Sequence, residues 1–279
     1  MKIRMKLILI GLVLILVSCS KNDGVAPENE NRDGYLFEDG FETSGNDLSE
    51  LFPNDGSRWS NLQQVDTNGG ENEIDLESSI VSEGNNSLRI YARASDNTLS
   101  KANIEKAGFN APEGSIVSIS ANFYIASTEN IENLLLIDLE CCSCWDPRVP
   151  DNQCPGIRLM MKDNDYLSIE RGKILGSTIV QSEIAFPRNE WVNVVWELKL
   201  SQNNDGINKL FINNQEVLSE SGMNMPNKSL FETEFANNGI DFELQEPLFY
   251  ERFQIGATAN PTPFDVELFI DDVKFEIIE

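Results

Sequence analysis

The sequence has no histidine in its 279 residues. That excludes Ser-His-Asp and Cys-His catalysis and every imidazole-held metal site. Cations are scarce: 21 Lys and Arg stand against 46 Asp and Glu, a formal charge of −25. Without a basic stripe to displace counterions from phosphate, DNA and RNA are excluded as partners. No apolar run reaches the roughly 20 residues that a permanent membrane helix needs. Aromatics make up only 9% of the chain, yet 41% is apolar, enough for the core of one large domain.

The first 18 residues read as a targeting segment. Lys2, Arg4 and Lys6 precede an unbroken apolar run from Leu7 to Val17. Leu16-Val17-Ser18-Cys19 resembles the lipobox of bacterial lipoproteins, in which the cysteine is acylated and becomes the new N-terminus. The resemblance implies lipidation at Cys19 and a membrane anchor that does not cross the bilayer. Loss of Lys2, Arg4 and Lys6 with the segment takes the formal charge from −25 to −28. Residues 19–34 are polar and rich in Asn, Glu and Gly, the composition of a flexible tether. The expected location is the outer membrane, on the cell surface.

Four further cysteines, Cys141, Cys142, Cys144 and Cys154, lie close together. In an exported protein an even number implies two disulfides rather than a thiolate metal site. Their connectivity stays open, except that Cys141–Cys142 is disfavoured because adjacent strand residues face opposite ways.

From Tyr35 onward the hydrophobic period is two. Val117, Ile119, Ala121, Phe123 and Ile125 alternate with polar residues, as do Val192, Val194, Trp196, Leu198 and Leu200. A change of parity at Asp271-Asp272 predicts a bulge, and Asn203-Asn204-Asp205-Gly206 predicts a hairpin turn. About a dozen strands and no helix argue for an all-β antiparallel sandwich, a jelly roll, over residues 35–279.

Trp191–Trp196 followed by Lys209–Asn214 is similar to the hairpin of concanavalin A-like and laminin-G-like domains. Tyr166–Lys173 and Phe186–Trp191 resemble polysaccharide lyases of that superfold. Phe37–Glu42, Gly84–Ile90 and Phe269–Val273 resemble carbohydrate-binding jelly rolls. The resemblance implies a sandwich that handles polysaccharide. It also implies a structural calcium ion joining the first and last strands through Asp39, Glu42, Asp271 and Asp272, although ordinary surface acids would look the same. Lyases of the superfold that use histidine carry it on a central strand, where this chain offers Asp138 and Glu140 instead.

Strand alternation places Leu134, Leu136, Asp138 and Glu140 on one face. Asp138 and Glu140 with Arg158, Lys162, Tyr166, Glu170 and Glu197 form the expected glycan groove, beside a cationic patch of Arg158, Lys162, Arg171 and Lys173. Glu73-Ile74-Asp75-Leu76-Glu77 has the spelling of a laminarinase motif, but its early position reads as a solvated edge segment. The expected function is a membrane-anchored lipoprotein that binds a neutral or weakly charged polysaccharide, since the acidic chain repels polyanions. The alternative is a lyase or glycosidase acting through Glu140, Arg158 or Lys162, and Tyr166. A third is a structural or protein-interaction lipoprotein with no sugar site.

Overall fold

The computed structural model describes residues 34–66, 70–95, 100–172 and 178–278. The targeting segment, Cys19, nearly all of the tether and Lys173 lie outside the described residues.

Fifteen strands and one helix follow in chain order: β1 (Tyr35–Asp39), β2 (Asn61–Val65), β3 (Glu73–Glu77), β4 (Ser87–Ala92), β5 (Lys101–Pro112), β6 (Ile116–Ala126), β7 (Leu134–Glu140), β8 (Gly156–Lys162), β9 (Tyr166–Arg171), β10 (Thr178–Ala185), β11 (Trp191–Lys199), β12 (Ile207–Ile212), β13 (Gln215–Ser221), α1 (Lys228–Asn237), β14 (Phe249–Ala259) and β15 (Val266–Ile278). They form two antiparallel sheets. One has eight strands, ordered β13-β12-β11-β6-β15-β4-β3 with β1 also on β15, and the other has seven, ordered β10-β9-β8-β7-β14-β5-β2.

The two inner faces meet through apolar side chains. Phe253 from the seven-stranded sheet stacks on Phe275 from the other at 4.9 Å, and Phe109 meets Phe275 at 4.4 Å. Trp59 is buried against Phe37, Phe41 and Phe253. The expected all-β sandwich is what forms. The turn after β11 lies where its Asn-Asn-Asp-Gly predicts, and the Asp271-Asp272 parity change is a bulge inside the single strand β15.

One expectation fails. A ten-residue helix, α1, follows β13, capped by Asn227, whose side chain accepts from Leu230 N at 3.0 Å. It buries little besides Phe231, so it shows almost no amphipathic period in the sequence. Its Phe235 instead stacks on Phe242 and meets Trp145 of the cysteine loop.

Candidate functional site

The outward face of the seven-stranded sheet carries a polar row running across every strand. Register aligns Asn61, Glu105, Gln254, Asp138, Arg158, Glu170 and Thr178 as direct cross-strand neighbours from β2 to β10. Two residues further along β8 lies Met160, and four further lies Lys162, opposite Tyr166 on β9. Asp138, Glu140, Arg158, Lys162, Tyr166 and Glu170 thus share the outward face, as the alternation predicts.

Of the other residues given to this face, Leu134, Leu136, Glu197 and Arg171 lie elsewhere, while Glu73 and Asp75 lie on the solvated edge their position predicts. A register shift between Leu135 and Ile137 reverses the parity of β7. Leu134 and Leu136 therefore enter the core with Ile137 and Leu139, while Leu135 joins Met160 and Ala259 in a separate small apolar cluster. Glu197 belongs to the other sheet, opposite Lys209. Arg171 alternates away from Glu170, and its Nε donates to the Met223 carbonyl at 3.0 Å. Glu73 and Asp75 lie on the edge strand β3, both paired with Arg89, a charged solvated face.

Glu140 requires a larger correction. It pairs with Gly156, six residues along β8 from the Lys162–Tyr166 pair, which is roughly 20 Å at the usual strand rise. Glu140 and Tyr166 cannot act on one glycosidic bond.

The cationic centre is held by acids. Arg158 Nε lies 3.4 Å from Asp138 Oδ1, outside hydrogen-bond geometry, so Nε is a buried donor with no acceptor. Gly172 leaves room for this guanidinium; a Cβ there would come within 3.0 Å of Arg158 Nη2. Lys162 Nζ sits 2.6 Å from Glu170 Oε1 and donates to Thr178 Oγ1 at 2.8 Å. Ser168 and Thr178 hydroxyls donate to the same Glu170 oxygen, fixing its position. The turn that delivers Tyr166 has Asn164 and Asp165 at positive φ. Asp165 is pinned by Arg188 at 2.9 Å and by Ile131 N at 2.6 Å. The Tyr166 hydroxyl has no hydrogen-bond partner among the described residues.

Sequence reading missed the neighbouring half of this face. Arg252 on β14 bridges Glu140, at 2.5 Å from Nη2 and 3.0 Å from Nε, to Glu105 at 3.2 Å. Burial lowers the pKa of Arg252, but the two carboxylates outweigh it and hold the group more firmly protonated. Burial pushes the Glu105 carboxyl up, against the pull of Arg252 and Gln254. Gln254 donates to Glu105 at 3.1 Å and leaves its own Oε1 buried and unpaired. Asn103, two residues from Glu105, has both amide atoms buried without partners. The signal available was the alternation of Arg252 and Gln254 with Phe253 and Ile255, since a strand buried on both faces does not need charge.

The cysteines form Cys141–Cys144 and Cys142–Cys154 disulfides, so Cys142 and Cys154 are not free thiolates. The loop they staple leans on the segment after α1. Trp145 meets Phe242 at 5.0 Å, and the buried Asp146 accepts from Glu243 N at 2.8 Å. Arg148, forked onto Asp146, holds that carboxyl far below the usual range.

The four acids expected to hold calcium are only partly available. Asp39 is forked by Arg58 at 2.8 and 2.6 Å, which occupies both of its oxygens. Glu42 accepts from Asn85 and Asn86, and these bonds lower its pKa. Its carboxylate crosses so near to Gly84, at φ +69°, that any Cβ there would collide with it. Asp271 accepts from Ser82 N and Glu83 N, yet burial pushes its carboxyl up to about 6. Asp272 accepts from Asn122, and burial with the nearby Glu83 and Glu42 charges raises it. All four acids carry the hard oxygens that calcium takes, but both oxygens of Glu42 and of Asp271 also accept hydrogen bonds. Among the described residues no three of these carboxylates converge as a ligand cluster, so backbone carbonyls would have to complete any calcium site.

A family model described as polysaccharide lyase matches residues 54–273. No curated protein matches the chain. Among solved structures, an endo-beta-1,4-glucuronan lyase from the fungus Trichoderma reesei is 12% identical, with 86% of this chain and 94% of that chain covered and a TM-score of 0.57. The cellulose induced protein Cip1 is 10% identical over 86% and 96%, at a TM-score of 0.55. Alginate lyase Aly36B is 12% identical over 86% and 96%, at 0.54, and a variant of it has been solved in complex with alginate trisaccharide. At these identities the likeness is one of fold.

Proposed function

The chain belongs to the polysaccharide lyase family, and from that premise we propose that it cleaves a uronate-containing polysaccharide by β-elimination on the outward face of the seven-stranded sheet. Family membership favours this catalytic reading over binding alone. The observation that carries it is the grouping of Arg158, Lys162 and Tyr166 on neighbouring strands of one face. Elimination has three requirements: a cation on the uronate carboxylate, a base for the proton at C5 and an acid for the leaving O4. The C5–H bond breaks, its electrons form the C4=C5 bond, the C4–O4 bond breaks, and O4 takes a proton. Arg158 is the carboxylate partner, because its partly exposed guanidinium is held by Asp138 only at 3.4 Å and matches carboxylate geometry. In a chain without histidine, Tyr166 is the proton-transfer group, with a hydroxyl unpartnered among the described residues and the Lys162 ammonium across the strand pair. Asp138 and Glu170 position Arg158 and Lys162.

The test is the ultraviolet absorbance of the new C4=C5 bond on mixing the protein with a panel of uronate polymers. A rise establishes elimination. Binding without a rise across the panel would leave a non-catalytic glycan binder. With a charge of −25 on the whole chain, sparsely charged polymers are the better substrates at low salt.

Two further parts of this reading rest on sequence and fold. The chain is anchored in the outer membrane, at the cell surface, through an acylated Cys19. Cys19→Ala is expected to move the protein from the membrane to the soluble fraction; continued sedimentation with membranes would remove the anchor. Calcium at Glu42, Asp271 and Asp272, completed by backbone carbonyls, would tie β15 to the loops before β4 and supply structural charge neutralisation only. Calcium at about 100 times its Kd is expected to add about 2.7 kcal/mol, a rise in Tm of roughly 5–10 °C. Asp272→Asn should abolish the rise, and a wild-type Tm indifferent to calcium and chelator would exclude the ion.

A further inference from the structure

Beside Arg252, where the polar face meets the cysteine loop, lies an open cleft of about 550 Å³ bounded by Glu105, Asn110, Cys142, Glu251 and Arg252. Its volume falls in the range of small-ligand sites. Arg158 lies two strands and one further row away, which is roughly 12 Å by sheet geometry. A polysaccharide seated at Arg158 therefore reaches the cleft within a few sugar units.

The two ends of the face differ in chemistry. At Arg158 a partly exposed guanidinium, only loosely held by Asp138 at 3.4 Å, suits a carboxylate. In the cleft the carboxylate vacancies are acceptors, and the exposed Asn110 amide is the further side-chain donor among the described lining residues. Glu105 is only 6% exposed, and its Oε2 takes Gln63, Gln254 and Arg252. Its Oε1 accepts no hydrogen bond among the described residues. Glu251 takes Ser143 N on Oε1 at 2.6 Å, and its Oε2 likewise accepts none among them. The one cation among the described residues that line it, Arg252, is already shared between Glu105 and Glu140. Ionised carboxylates only accept, so a uronate carboxylate placed here would face acceptors and like charge. A sugar hydroxyl donates, and satisfies them.

We propose that this cleft is a subsite for a neutral sugar, so that the substrate interleaves uronate with neutral residues instead of being a homopolyuronate. The proposal rests on the lyase reading and extends it to the composition of the polymer. A uronate binds at Arg158, and a neutral unit of the same chain donates its hydroxyls to Glu105 and Glu251.

The experiment compares hyaluronan and deacylated gellan, in which glucuronate alternates or intersperses with neutral units, against alginate and polygalacturonate. Elimination is followed by ultraviolet absorbance with wild type and Glu251→Gln. The expected result is at least a tenfold preference in kcat/KM for the interleaved polymers, narrowed by Glu251→Gln, whose amide can donate to a carboxylate. Homopolyuronates cleaved equally well or better, with Glu251→Gln changing both classes alike, would overturn the neutral subsite while leaving the lyase reading intact. If no polymer is cleaved, calorimetry with cellotetraose, xylotetraose and mannotetraose decides. Binding weakened about tenfold by Glu251→Ala upholds the subsite without the lyase, and no binding, or binding that ignores the substitution, ends both.

Discussion

Tyr166→Phe is expected to lower kcat for elimination by roughly 10²–10⁴-fold, the usual contribution of a positioned proton-transfer group. Only the hydroxyl is lost. The ring keeps its place opposite Lys162, and the turn before it stays fixed by Asp165, Arg188 and Ile131 N. Substrate affinity by calorimetry and Tm should therefore stay near wild type, separating a chemical role from a structural one. Arg158→Ala should differ, weakening binding and turnover together because the carboxylate partner acts in both ground and transition states. If Tyr166→Phe kept turnover within a few-fold, proton transfer would have to pass to Lys162, and Lys162→Ala would then carry the loss.

The second large effect concerns stability. Cys142 and Cys154 are 12 residues apart, and removing their bond with paired serines frees a loop whose closure is worth about 3 kcal/mol in the chain-entropy account. For a domain of this size that is a fall in Tm of roughly 6–12 °C. The Cys141–Cys144 bond closes only three residues and should cost about 2 kcal/mol. The longer bond also has a functional side. Cys142 lines the cleft, and Cys154 Sγ lies 3.2 Å from Arg252 Nη2. Opening it should therefore loosen neutral-sugar binding at that end of the face while leaving Arg158 and Tyr166 in place. A Tm unchanged by the paired substitution would mean the loop is held by the Trp145–Phe242 contact and the Asp146 network alone.

The fold was legible because period-two alternation survives wherever one face of a strand is buried and the other is wet, as in β6 and β11. It blurred where both faces are covered. β7 is buried at all seven positions, so its sequence carried no mark of the register shift that sends Leu134 and Leu136 inward. The helix α1 went unseen because it packs through Phe231 and Phe235 rather than along a stripe. Half of the candidate site was readable, since Arg158, Lys162, Tyr166 and Glu170 lie on consecutive strands joined by a short turn. The other half was not. Arg252 and Gln254 come from a strand nearly a hundred residues later that inserts between β7 and β5, a sheet order no local pattern encodes. The same separation explains why Glu140 was grouped with Tyr166: alternation gives the side of a sheet, not the position along it.

β1 runs beside β15 with Tyr35 opposite Ile277, on the sheet that faces away from Arg158 and Tyr166. The two ends of the sandwich thus emerge as neighbours on the sheet opposite the face that carries Arg158 and Tyr166. A short linker could close the domain into a circularly permuted chain, and copies fused end to end would be joined from the back, leaving each Arg158–Tyr166 face open.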